Sequence, residues 1–452
     1  MELVIRGKYA LYFSSDSKLH FIEDPGIIIE QDKIVNIGKY SEVKKDIVGH
    51  DKVGDKNQLL IPGLINGHTH LAMTLFRGIA DDLPLNIWLQ DHIWPMERNL
   101  NAEDVYYGAK LGAIESLLAG VTTINSMYWY PEEEAKAIKD TLMRGMVGPP
   151  VISGMNNLKK SLSIATNLHN SEKGRIRATL SLHSPYTVTI SDFVEANEYI
   201  LNRNQECEDE DKLLIHTHLA EPEDELTQAK KFNLNKNEDF PDVNSSVDLM
   251  EQIGLLHEYL LTAHCIHVSR EDIIKLQKNK VRVIVNPLSN SKLGNHMPPL
   301  DKMIRKIENL GLGTDGPASN NTLNVFDTVR YIALFYKGLL SDPEIIKAKE
   351  TFWLATIGGA KALRWKGIGS LEQDSLADIV TIDLKKPHLT PTISSDSLLS
   401  HFAYSMNGSE IKNVIVNGKI VIKNYDFDSI IIEKVLEEVE KKTLRLLKKE
   451  DD

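Results

Sequence analysis

Lys212-Leu213-Leu214-Ile215-His216-Thr217 is an apolar run with its polar residues at the end, and the fold follows from how often that pattern returns. It recurs as Val121-Thr122-Thr123-Ile124-Asn125, Arg177-Ala178-Thr179-Leu180-Ser181-Leu182, Leu260-Leu261-Thr262-Ala263-His264, Val281-Arg282-Val283-Ile284-Val285-Asn286 and Leu310-Gly311-Leu312-Gly313-Thr314-Asp315. Helical stretches separate these runs between residues 61 and 370. Strands alternating with helices at this spacing make βα units around a parallel sheet. The expected fold class is α/β, a (β/α)8 TIM barrel with insertions. The late polar residues then stand at the C-terminal ends of the strands, where barrel enzymes keep their chemistry.

The chain ends use a different grammar. Leu3-Val4-Ile5-Arg6 and Gly26-Ile27-Ile28-Ile29-Glu30 are apolar and rich in β-branched residues, and residues 31–38 read as a hairpin turn followed by a strand. Similar stretches return at 377–383 and 414–421, the second carrying an Asn417-Gly418 turn. Neither end has enough strands to bury a face alone, so both together are expected to build one small β-sandwich domain. The expected division is 1–60 with 371–428 for the sandwich, 61–370 for the barrel and 429–452 for a C-terminal helix.

Composition narrows the function. The 452 residues carry 52 basic and 64 acidic side chains, a net charge of −12 that repels phosphate backbones, so no nucleic-acid partner is expected. Cys207 and Cys265 make no disulfide framework and have no metal-ligand spacing. No signal peptide is legible at the N-terminus, and no apolar run approaches the roughly 20 residues that span a bilayer. The expectation is a cytoplasmic protein with no membrane partner.

The strongest local signal is Pro62-Gly63-Leu64-Ile65-Asn66-Gly67-His68-Thr69-His70. Residues two apart on a strand share a face, so His68 and His70 can present two imidazoles to one point, and imidazole suits zinc and similar divalent ions. By itself the pair also fits two hydrogen-bonded histidines at a strand end. Three later signals add to it. His216-Thr217-His218-Leu219-Ala220-Glu221 offers a third nitrogen in His218, with the Glu221 carboxylate three residues on as an acid/base. Ala263-His264-Cys265 ends another run. Gly313-Thr314-Asp315-Gly316 sets one carboxylate between glycines that permit a tight turn. Three imidazoles and one Asp leave a coordination position for water, which marks a catalytic site.

On these motifs, with Leu75-Phe76-Arg77-Gly78, His183-Ser184-Pro185-Tyr186, Leu293-Gly294-Asn295 and Gly313-Thr314-Asp315-Gly316-Pro317-Ala318-Ser319-Asn320-Asn321, the chain resembles the amidohydrolase superfamily. Within it, the similarity is to adenosine-type deaminases that act on methylthioadenosine, S-adenosylhomocysteine and related 5′-modified nucleosides. The resemblance spans nearly the whole chain. It implies a hydrolase acting on the C–N bond of a cyclic amidine: water attacks C6 of an adenine nucleoside, giving the inosine analogue and ammonia. Methylthioadenosine, S-adenosylhomocysteine, 5′-deoxyadenosine and adenosine are the implied substrates.

The resemblance also implies roles. His68, His70, His218 and Asp315 hold one divalent ion, Zn2+ first, with Fe2+, Mn2+ and Ni2+ as alternatives. No lysine stands where two-metal members carry a bridging carbamate. Asp315 accepts a proton from the attacking water, Glu221 shuttles protons, and His264 orients the water. Glu97 receives the ribose hydroxyls, His183 and Trp88 line the nucleoside pocket, and Ser319, near Asp315, is counted with the substrate-binding residues. His216 is expected behind the site. Relatives form dimers or tetramers, so a homo-oligomer is implied without a number. Arginines that hold the S-adenosylhomocysteine carboxylate are missing from Val151-Ile152-Ser153-Gly154 and Met155-Asn156-Asn157-Leu158-Lys159-Lys160, where Lys159 or Lys160 could substitute as a point charge. Triazine-type chlorohydrolases and guanine-type deaminases share the scaffold but have no need of Glu97. A non-catalytic oligomeric scaffold would have lost ligands that are all present here.

Overall fold

Each apolar run forms a strand of one parallel sheet. In chain order they are β1 (Leu64–Thr69), β2 (Val121–Met127), β3 (Arg144–Gly148, continued by Pro150–Val151), β4 (Ile176–Leu182), β5 (Leu214–Leu219), β6 (Leu260–His264), β7 (Arg282–Val285) and β8 (Leu310–Leu312). Consecutive strands are neighbours from β1 to β8. Across the seam, Thr314 N–H donates to Asn66 Oδ1 at 3.0 Å, Asn66 Nδ2 to Thr314 Oγ1 at 2.8 Å, and Asp315 N–H to the His68 carbonyl at 3.0 Å. The expected eight-stranded α/β barrel is therefore present and nearly closed. The structure, a computed structural model, describes residues 2–43 and 51–448. Met1, residues 44–50 and the last four residues of the expected C-terminal helix lie outside the described residues.

The strands pack closely where they carry the motif residues. A Cβ at Gly67 would lie 2.3 Å from Ile284 Cδ1, so only glycine lets β1 approach β7 across the barrel interior.

The chain ends supply two further sheets. Lys33–Lys39, Pro25–Glu30, Glu2–Arg6 and Asp51–Val53 form a four-stranded sheet in that order. A six-stranded sheet runs Lys419–Ile422, Ile411–Val416, Ile379–Asp383, Gln58–Pro62, Tyr9–Phe13, Leu19–Glu23. Its centre joins the two ends of the chain, with Leu60 opposite Thr381 in an antiparallel pair. Leu3, Ile27 and Ile29 of one sheet share an apolar core with Leu60, Ile379 and Ile415 of the other. The Asn417-Gly418 turn takes φ of 52° and 73°, as a tight hairpin requires. Arg144 of β3 reaches this region through Asp378 at 2.6 and 3.1 Å and Asn417 at 2.8 Å, all buried or nearly so. The final helix, Ser429–Lys448, buries Val435, Val439 and Leu446, and its Thr443 hydroxyl donates to the Leu75 carbonyl at 2.9 Å, just downstream of His70.

Candidate active site

The C-terminal ends of four barrel strands converge on one point. His68 is the fifth residue of β1 and His70 lies one residue past it, with ring centroids 5.0 Å apart. His218 comes from β5, His264 ends β6, and Asp315 follows β8. Donor atoms of His68, His218, His264 and Asp315 all lie within 4.8 Å of one another. His68 Nε2 and His70 Nε2 stand 3.2 and 3.1 Å from Asp315 Oδ1. The structure thus brings together all four residues expected at the metal, and His264 beside them.

The turn at Asp315 differs from expectation. Asp315 itself, not a flanking glycine, takes the left-handed conformation at φ 63°. Gly313 serves close approach, since a Cβ there would meet Asn286 Oδ1 at 2.3 Å and the His68 carbonyl at 2.8 Å. His264 and Cys265 are also left-handed, at φ 73° and 47°. Left-handed non-glycine residues cost about 1–2 kcal/mol each and persist only where surroundings hold them.

Those surroundings orient every candidate ligand. His70 Nδ1 donates to the Met127 carbonyl at 2.6 Å and His218 Nδ1 to the His183 carbonyl at 2.7 Å. His264 Nδ1 donates to Asn290 Oδ1 at 2.9 Å. Each bond commits the Nδ1 proton outward and turns Nε2 toward the common point. His68 Nδ1 lies 3.1 Å from Nε2 of the fully buried His216, which stands behind His68. Asp315 Oδ2 accepts from Ser289 Oγ and Ser319 Oγ, both at 2.6 Å, leaving Oδ1 free to face the histidines. Buried His68 Nε2 and Asp315 Oδ1 have no hydrogen-bond partner. Buried orphans of complementary type, aimed at one point, fit a divalent cation held by nitrogen and oxygen donors. The site is that of a divalent metal.

Electrostatics agree. Burial opposes charge on Asp315, yet the close His68 and His70 imidazoles hold its carboxyl well below the usual range. Burial also opposes charge on His70, but the Asp315 carboxylate outweighs it and raises the imidazole to about 9. Burial lowers His68 to about 4 and His218 well below its ordinary value. Burial raises the Glu221 carboxyl, whose Oε1 lies 3.8 Å from His264 Nε2.

A narrow cavity of about 70 Å³ lies over these residues, lined by His70, His218, Glu221, His264 and Asp315. Trp88, Glu97 and His183 line it too, together with Trp129 and Tyr186. Burial raises the Glu97 carboxyl, whose Oε2 accepts from Trp129 Nε1 at 3.1 Å. Ser319 is not among the lining residues; its hydroxyl acts on Asp315. Leu89, Trp94, Glu97, Trp129, Pro150, Ile152 and Tyr186 also wall an outer chamber of about 700 Å³, to which Arg98, Glu132 and Lys160 add charges. Lys159 faces a separate groove.

Sequence reasoning missed Ser289 and Asn290, which sit just past β7 in Asn286-Pro287-Leu288-Ser289-Asn290. The rule that barrel chemistry sits past strand C-termini pointed there. The Met127 and His183 carbonyls carry no side-chain signal.

A model described as the amidohydrolase family matches residues 59–421. The chain belongs to this family. A relative from Dictyoglomus turgidum named 5-methylthioadenosine/S-adenosylhomocysteine deaminase is 39% identical to this amidohydrolase over 437 residues, covering 95% of this chain and 96% of its own. One from Methanocaldococcus jannaschii named 5′-deoxyadenosine deaminase is 38% identical over 431 residues, covering 92% and 94%. Among solved structures, an adenosine deaminase from Xanthomonas campestris with bound zinc superposes at TM-score 0.89 with 27% identity, covering 99% and 98%. Among the described residues no helix of this amidohydrolase is long and apolar enough to cross a membrane.

Proposed function

We propose that this protein is a metal-dependent deaminase of 5′-modified adenine nucleosides, holding one ion, Zn2+, through His68, His70, His218 and Asp315. The observation that carries the reading is a carboxyl, Glu221, with its pKa raised by burial, facing the same cavity as His70, His218 and Asp315. When bound, the divalent ion brings the pKa of its water toward about 7. The side chains do the rest. Asp315 takes the proton of the attacking water while His264 orients it. Glu221 protonates N1 of the adenine, so negative charge does not build up on the ring as C6 is attacked. Left as a carboxylate, Glu221 takes the proton of the C6 hydroxyl and delivers it to the amino group, and the water proton held by Asp315 returns to Glu221. The C6–N bond breaks, ammonia leaves and the C6 carbonyl remains.

Glu97 receives the ribose hydroxyls, and Trp88 and His183 wall the nucleoside. Ser319 supports Asp315 instead of touching substrate. The 5′-substituent extends into the outer chamber, whose apolar walls suit methylthio and deoxy groups and whose Arg98 and Lys160 can meet a carboxylate. In this reading the described parts of 1–60 and 371–428 form the sandwich domain, 61–370 the barrel, and the described part of 429–452 the helix.

The test is ammonia release from adenosine, 5′-deoxyadenosine, methylthioadenosine, S-adenosylhomocysteine, guanine and s-triazines, with metal content by mass spectrometry. Zinc at one per chain and turnover of adenine nucleosides cut to a trace by Glu221→Gln are expected. Turnover of guanine or triazines alone would overturn the substrate reading. The double variant Arg98→Ala, Lys160→Ala is expected to lose S-adenosylhomocysteine preferentially over methylthioadenosine.

A further inference from the structure

We propose that Glu225 is a positioning residue that holds the strained turn aiming Glu221 into the cavity; this rests on the reading of Glu221 as the proton donor. The geometry of β5 raises the problem that Glu225 solves. On a strand, residues an odd number apart face opposite sides, so Glu221, three past His218, would point away from it if the strand simply continued. Glu221 nevertheless lines the same cavity as His218. The reversal occurs at Ala220, a non-glycine residue at φ 53°.

That turn is pinned from both sides. Ala220 O accepts from the Ile266 and His267 N–H groups, each at 2.9 Å. On the other side, Glu225 Oε1 accepts from Ala220 N–H at 2.7 Å and Oε2 from Glu221 N–H at 3.2 Å. Glu225 is buried and opens the helix Glu225–Asn235. Its carboxylate spans two successive N–H groups of a strained turn outside its own helix, an arrangement that fixes the Glu221 backbone. A buried acid whose two oxygens both receive donors from one turn has no use there as a solvated helix-end charge.

Glutamine can accept only one of the two N–H groups and turns its NH2 donor toward the other. Glu225→Gln is therefore expected to lower kcat on the best nucleoside by about 10- to 100-fold, the scale of a small misplacement of a reacting group. KM should stay within about twofold and metal content should remain one per chain, because the ligands do not depend on this contact. Glu225→Asp keeps both acceptors on a shorter arm and should recover part of the loss. In a Glu221→Gln background, where residual turnover is followed over long incubations, adding Glu225→Gln should change little. Wild-type kcat in Glu225→Gln, or an equal fold-loss in both backgrounds, overturns the proposal. So does failure of both Glu225 variants to fold or retain metal, which assigns Glu225 to the fold alone. Full activity of Glu221→Gln would instead sink the underlying reading.

Discussion

Removing the two serines behind Asp315 tests whether the proposed metal site depends on its supporting shell. Ser289 and Ser319 are buried, and each donates to Oδ2 at 2.6 Å, short enough for charge-assisted bonds to an ionised carboxylate. Each such bond contributes about 1.5–3 kcal/mol net. At about 1.4 kcal/mol per decade, Ser289→Ala or Ser319→Ala alone should weaken metal binding roughly 10- to 100-fold. With both gone, Oδ2 becomes a buried charged oxygen without a donor, and the loss should exceed either single variant. Because the two share one oxygen, the effects should not add. Competition against a chromophoric chelator measures the affinity, and thermal denaturation of the metal-free proteins reports any general loss of fold. Binding by the double variant within about twofold of wild type would refute the reasoning.

Glu97→Ala should raise KM for adenine nucleosides about 10- to 100-fold, the worth of a charge-assisted bond to a ribose hydroxyl, and should leave a 2′,3′-dideoxy analogue unaffected; equal losses on both substrates would contradict it. His70, raised to about 9 by Asp315, carries a proton at pH 7 that a ligand nitrogen must shed, so metal binding should release about one proton. Apparent affinity should then climb about tenfold per pH unit up to that pKa and level off. By the same sign, the metal-free fold should lose stability as pH rises from His70's ordinary 6.5 through about 9. Calorimetry in two buffers of different ionisation enthalpy counts the protons, and a count near zero would exclude this account. Arg144→Met leaves the buried Asp378 carboxylate without its counter-charge, with the Asn417 N–H still donating to it, and should cost about 3–5 kcal/mol in urea denaturation, whereas a cost below about 1 kcal/mol would mean that water reaches the pair.

Much of the fold was legible because burial leaves a mark in composition. Runs such as Leu260-Leu261-Thr262-Ala263-His264 are mostly apolar and end on the residue that faces the site. The candidate ligands were legible only in combination: His68 and His70 alone fit two hydrogen-bonded histidines, and His218 and Asp315 at the ends of later strands add the weight. Three things were not legible. The turn at Asp315 was assigned to its glycines, but the strain falls on Asp315 and the close approach on Gly313. Ser289 touches Asp315 from 26 positions away in the chain, a proximity that only barrel closure creates. Arg98 and Lys160 reach one chamber from separate segments, so inspecting the stretches after β3 alone understated its cations. Local pattern reports which residues are buried; it does not report which of them meet.

The pairing of Gln58–Pro62 with Ile379–Asp383 sets an order of assembly on the ribosome. Roughly 320 residues separate the two strands, and at 5–20 residues per second their synthesis takes on the order of 15–60 s. During that time Leu59, Leu60 and Ile61 have no partner on that side, and an apolar strand with an open edge recruits other chains. Only Gly63 separates this waiting strand from β1, which carries His68. His68 and His70, the first of the proposed ligands to be made, thus sit beside a strand whose partner is among the last to arrive, so under this reading the ion is held firmly only late in translation.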